Sequence, residues 1–67
     1  MYKINDFVII KKEEPGVFLK KGEIGKVIEI DENARIGSFN DWDIRVQTKN
    51  GKRWLCSKYV GKVDFNV

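Results

Sequence analysis

Apolar residues in this chain come in short runs or in strict alternation with polar ones, bounded by Gly, Asn and Asp. That is a strand signature, and no segment keeps the spacing of an amphipathic helix over a useful length. Five strands are predicted. The first covers residues 7–11. The loop after it, 12–21, holds the turn dipeptide Pro15-Gly16 and apolar Val17, Phe18 and Leu19, which should fold back onto the core. The second covers 24–31, with Gly22 and Gly25 flanking its start, where glycine relieves crowding at a sharp bend. Val27, Ile28 and Ile30 do not fit one alternation, which predicts a bulge near Ile28. Residues 32–41 form a polar loop containing Gly37.

The third strand, 42–49, alternates cleanly. Trp42, Ile44, Val46 and Thr48 share one face; Asp43, Arg45, Gln47 and Lys49 share the other. Asn50-Gly51 is the strongest hairpin signal in the chain, since a type I′ turn needs positive φ at both central residues. The fourth strand is expected at 52–57, a short turn at 58–61 and the last strand at 62–65.

Short strands, short connections and no helix imply an all-β fold in one domain, residues 1–67, of small-barrel type. Gly22-Glu23-Ile24-Gly25-Lys26-Val27-Ile28-Glu29-Ile30 resembles the Gly-x-x-Gly-x-Val-x-x-Ile strand entry of SH3-like barrels, KOW domains among them. Ser57-Lys58-Tyr59-Val60 resembles the Ser-Asn-Tyr-Val turn of SH3 domains. The resemblance implies a five-stranded SH3-like barrel, and KOW-like domains contact RNA or protein. The ALYDY-type start is missing, no Trp-Trp pair begins the hairpin strand, and Cys56 stands where Pro usually precedes the Ser. The resemblance therefore bears on fold more than on PxxP recognition, and fold is a poor guide to function.

The chain has 67 residues. One core of that size supplies roughly 3–5 kcal/mol of net stability, which leaves little margin for a deep or strained active site. An apolar fraction of 42% marks globular material. The single cysteine, Cys56, excludes an intramolecular disulfide or a zinc site with two cysteines from this chain, and it favours a reducing compartment. The first residues lack a signal-peptide core, and the longest apolar run, Phe7 to Ile10, is too short to span a bilayer. A cytoplasmic location without a membrane partner is expected. Ten Lys against three Arg suit an AT-rich bacterial or phage genome.

The formal net charge of +3 is unevenly placed. Residues 27–43 carry a net −4 and residues 44–63 a net +6, which suggests an oriented surface.

Catalytic equipment is missing. There is no His, so Ser57 and Cys56 lack the usual base. Asp41 and Asp43 alternate onto the outward face, where a solvated pair is expected. Residues 31–37 begin like a calcium loop but put Arg35 and Ile36 where a ligand and Gly belong. No Gly-Lys-Ser/Thr follows Gly22-x-x-Gly25, so it is not a phosphate loop. No metal or cofactor is implied.

A two-residue Asn50-Gly51 turn would fix the hairpin register. Val46 would face Leu55, Ile44 Ser57 and Trp42 Tyr59 on the inner side. Gln47 would face Trp54, Arg45 Cys56, Asp43 Lys58 and Lys49 Lys52 on the outer side. Trp42 would then belong to the core and Tyr59 to its rim. Trp54 would point outward among cations, unless Phe18, Phe39 or Tyr2 covers it or Arg45 lies over its ring. The expected function is a non-enzymatic binding module with a macromolecular partner, through Trp54, Arg45, Gln47, Lys49, Lys52 and Tyr59. A protein partner is favoured, with the chain as a regulatory subunit or inhibitor, because +3 is modest and the acidic segment would repel phosphates. RNA or DNA, with bases stacked on Trp54, is the alternative.

Overall fold

The computed structural model describes residues 2–13, 19–39 and 41–64. The strands are β1 (Phe7–Ile10), β2 (Ile24–Ile30), β3 (Ile44–Thr48), β4 (Gly51–Leu55) and β5 (Val60–Val63). A 3-10 turn, Ser57–Tyr59, separates β4 from β5. All pairings are antiparallel, in one sheet of order β4-β3-β2-β1-β5. The sheet is not closed into a barrel: β4 and β5 remain its two edges.

Alternation sets the faces. Val8 and Ile10 of β1, Val27 of β2, Ile44 and Val46 of β3, Leu55 of β4 and Val60 of β5 turn inward and form one cluster. The cluster takes residues from both edge strands, so the sheet bends around it. Leu19, only 2% exposed, comes from the loop after β1 to fill the same core. Pro15-Gly16, Val17 and Phe18 lie outside the described residues, as does Phe65.

The expectations for Gly25 and for the bulge are met, whereas Gly22 has open space around it and takes a positive φ of +94° instead of relieving crowding. A Cβ on Gly25 would collide with the Val46 side chain and would lie 2.9 Å from both the Gln47 carbonyl and Thr48 Cγ2. Only glycine lets β2 lie this close over the inner surface of β3. The β2–β3 register shifts between Val27 and Glu29, leaving Ile28 as the extra residue. The bulge sends Glu29 outward opposite Arg45 and Ile30 inward opposite Ile44.

The hairpin corrects the expected register. Thr48 pairs with Gly51, so the loop is Lys49-Asn50 and not Asn50-Gly51. The Asn50 N–H donates to Thr48 Oγ1 at 3.1 Å, and its side-chain amide donates to Glu23 Oε1 at 2.6 Å. Those bonds hold Asn50 in the turn without positive φ, and Gly51 takes it instead, at +132°. Each partner consequently changes by two: Ile44 faces Leu55, Arg45 faces Trp54, Val46 faces Arg53 and Gln47 faces Lys52. A shift of two preserves the faces, so Ile44, Val46 and Leu55 stay inward and Arg45, Gln47, Lys52 and Trp54 outward. Cys56, expected outward opposite Arg45, is instead fully buried just past the end of β4.

Trp42 is a second correction. β3 begins only at Ile44, and Trp42 is 46% exposed, outside the core, with the Arg53 guanidinium 5.7 Å from its ring centroid. The cause lies next door. Asp43 turns to Ser57, accepting its backbone N–H and its hydroxyl at 2.7 Å each. The expected Asp43–Lys58 pair is replaced by Asp41–Lys58 at 3.4 Å.

Candidate interaction face

Residues directly opposed across a ladder project to the same side of a sheet. The registers therefore lay out the outward face in rows. One row is Trp54, Arg45 and Glu29 from β4, β3 and β2. The next is Lys52, Gln47, Lys26, Phe7 and Val63, crossing the whole sheet. A third joins Ile24, Ile9 and Gly61.

Four of the six expected contact residues meet in the first two rows: Trp54 beside Arg45, and Lys52 beside Gln47. Trp54 is half-buried. Arg45 is held by Glu29, with Nη1 2.6 Å from Oε1. Such a partly exposed pair is worth under about 1 kcal/mol, and it draws the guanidinium toward β2. Tyr2, a suggested cover for Trp54, packs against the core instead, its hydroxyl donating to the Val60 carbonyl at 3.4 Å. Phe39 is fully exposed. Arg45 over the Trp54 ring is the other suggested cover; the arginine–ring contact is found between Arg53 and Trp42. Phe18 lies outside the described residues.

Lys49, in the hairpin turn, lines a shallow hollow of about 530 Å3 with Lys21, Gly22, Glu23 and Ile24. That places it beside the third row. Tyr59 belongs to a different cluster. Its carbonyl accepts the Lys11 and Lys12 N–H groups at 2.8 and 3.2 Å. The ammonium groups of Lys12 and Lys58 stand 5.9 and 5.2 Å from its ring centroid. Tyr59 therefore anchors the end of β1 against the 3-10 turn.

Sequence reasoning missed the apolar half of the outward face. Phe7 is 41% and Ile24 48% exposed; Phe7 lies in the row of Lys52, Gln47 and Lys26, and Ile24 in the next row with Ile9. A signal was present: β1 reads Phe-Val-Ile-Ile, apolar on both faces.

The bases of residues 44–63 do not form one positive patch. Arg45, Lys58 and Lys62 each pair with a carboxylate: Glu29, Asp41 and, at 3.8 Å, Asp6. Arg53 turns to Trp42 on the inner side of β4. Cys56 is buried, and burial pushes its thiol above the ordinary range. Among the described residues no three His, Cys, Asp or Glu side chains gather as a metal-binding group. No helix among them is long and apolar enough to cross a membrane.

Compared with protein families, curated proteins and solved structures, the chain matches none of them.

Proposed function

We propose that this chain is a small, non-enzymatic binding module of SH3-like build that recognises a protein partner through the outward face of its sheet. The observation that carries the reading is that the half-buried Trp54 and the exposed Phe7 and Ile24 stand beside cations on one surface. Trp54, Phe7 and Ile24 share it with Arg45, Lys26 and Lys52. Aromatic residues and Arg are the side chains that contribute most to protein interfaces when water is excluded around them. The 3-10 turn at Ser57–Tyr59, where the Ser-x-Tyr-Val resemblance falls, supports the SH3-like assignment.

A protein partner is favoured over nucleic acid because three of the six bases of residues 44–63 are paired with carboxylates. Phosphate recognition draws its affinity from unpaired cations that displace counterions. The role suited to a module of this size is that of a regulatory subunit or inhibitor acting in the cytoplasm.

The test is capture of partners from source-cell lysate with and without nuclease. A protein partner retained after nuclease treatment supports the reading. Loss of all capture on nuclease treatment overturns it in favour of RNA or DNA. Direct titration of labelled single strands adds a second criterion: binding that falls roughly 10-fold or more between about 50 and 200 mM salt would also displace it.

A further inference from the structure

The inner row of the sheet runs out of the core at one end. Ile30 and Ile44 face each other past the bulge, yet Ile44 is 1% and Ile30 37% exposed. There the chain opens a cleft of about 510 Å3, floored by Ile30, Ile36, Ile44 and Tyr2. The volume falls within the range of roughly 300–1,000 Å3 usual for ligand clefts. Its rim carries the carboxylates of Asp31, Glu32 and Asp43, and no Lys or Arg is among the described residues that line it.

The β2–β3 loop is built to keep this cleft open. The Asp31 N–H donates to the Asp43 carbonyl at 2.9 Å and closes the ladder. One turn follows, in which Asp31 Oδ1 accepts the Asn33 N–H at 2.9 Å. In a second, the Arg35 carbonyl accepts the Ser38 N–H at 3.1 Å and its hydroxyl at 2.7 Å. Ile36, which lines the cleft beside the partly exposed Ile30, is itself 56% exposed. Exposed apolar residues are ordinary singly; several around one cleft mark a contact surface. The Tyr2 phenol reports the local field: burial first, then the charges of Asp43 and Asp6, raise its pKa above the ordinary value.

We propose that this cleft docks an extended segment of a partner protein that presents an apolar side chain flanked by Lys or Arg. The apolar floor takes the side chain, and the carboxylate rim takes the cations, whose methylene stems can lie along Ile36. Charge complementarity selects the occupant. Asp31, Glu32 and Asp43 line the cleft with no cation among the described residues beside them, an arrangement that repels an acidic segment or a phosphate chain. The site is separate from the outward face, whose exposed cations suit the opposite partner charge, and it stands whether or not that face binds.

The test is an amide-resolved NMR titration with three synthetic peptides. The first has Leu-Leu between Lys-Arg pairs, the second replaces its bases by Glu, and the third replaces its leucines by Ser. The first peptide should saturably shift the amides of Ile30, Asp31, Ala34 and Ile36, and the other two should not. An Asp31→Asn, Glu32→Gln double variant should weaken the first peptide about threefold or more, as two exposed charge contacts would. Ile36→Ser should weaken it further. These positions are exposed or at the rim, so an unchanged thermal melt shows the variants are folded. Equal binding of the acidic peptide, shifts confined to Trp54 and Lys52, or no shifts would each overturn the proposal. Shifts at the cleft on raising the protein concentration alone would assign it to a second copy instead, and would also overturn it.

Discussion

Asp43 accepts two hydrogen bonds from Ser57, one from the backbone N–H and one from Oγ, both at 2.7 Å. This pair ties the entry of β3 to the 3-10 turn that hands the chain from β4 to β5. A hydrogen bond to a charged acceptor contributes about 1.5–3 kcal/mol, and the site is partly solvated, so the low end applies. Asp43→Ala, which removes both bonds, should destabilise the domain by about 3 kcal/mol, and Ser57→Ala, which keeps the backbone bond, by about 1.5 kcal/mol. Urea melts of both variants measure this. An unchanged midpoint for Asp43→Ala would mean the pair does not hold the turn.

Glu23 links stability to pH. Its carboxyl lies below the ordinary value of 4.5, chiefly because the Lys20 N–H donates to it, with the Asn50 side chain adding to the effect. A carboxylate depressed in the folded state stabilises above its unfolded pKa, and that contribution is lost as pH falls through the folded value. Stability should therefore decline as the pH drops below about 4.5. Glu23→Gln should be less stable than the parent near neutrality and should converge with it in acid. A constant difference at every pH would remove Glu23 from the account.

Gly25 tests the close approach of β2 to β3. A methyl group there meets the Val46 side chain, the Gln47 carbonyl and Thr48 Cγ2. Backbone and packed side chains cannot yield cheaply, so Gly25→Ala should cost about 1–3 kcal/mol. A denaturation midpoint equal to the parent's would show that the two strands lie further apart.

Cys56 is fully buried, and burial raises its thiol pKa. The thiolate is the reactive form, so a thiol reagent should label it slowly in the native protein and fast in urea. Fast native labelling would place the thiol at the surface.

Local pattern and long-range contact divide what the sequence reveals. Alternation in residues 44–48 and the broken alternation at Ile28 are local, and both the inward set and the bulge follow from them. The loop position does not, because the choice between Lys49-Asn50 and Asn50-Gly51 turns on the bond from Asn50 to Glu23, twenty-seven residues away. Trp42 misleads for the same reason: the pattern extends the strand back through it, while beside the Asp43–Ser57 pair the strand starts only at Ile44. Trp54, Arg45, Gln47 and Lys52 are legible as one outward group because a register error of two keeps the face. Phe7, Ile24 and Lys26 join that group only through strand order, which no local pattern contains.

The central claim is that the outward face, and Trp54 in it, binds a protein. Trp54 sits outside the core cluster, and Trp42 is 46% exposed. Truncation of either should therefore leave a folded domain, unlike a core Trp→Ala change, which costs about 3–5 kcal/mol. The measurement is nuclease-resistant partner capture by Trp54→Ala, with circular dichroism and thermal melting on the same sample. The account predicts a folded variant that has lost its partner, while Trp42→Ala, equally folded, keeps it. A Trp54→Ala variant that unfolds, or that stays folded and captures the partner as well as the parent does, would contradict it.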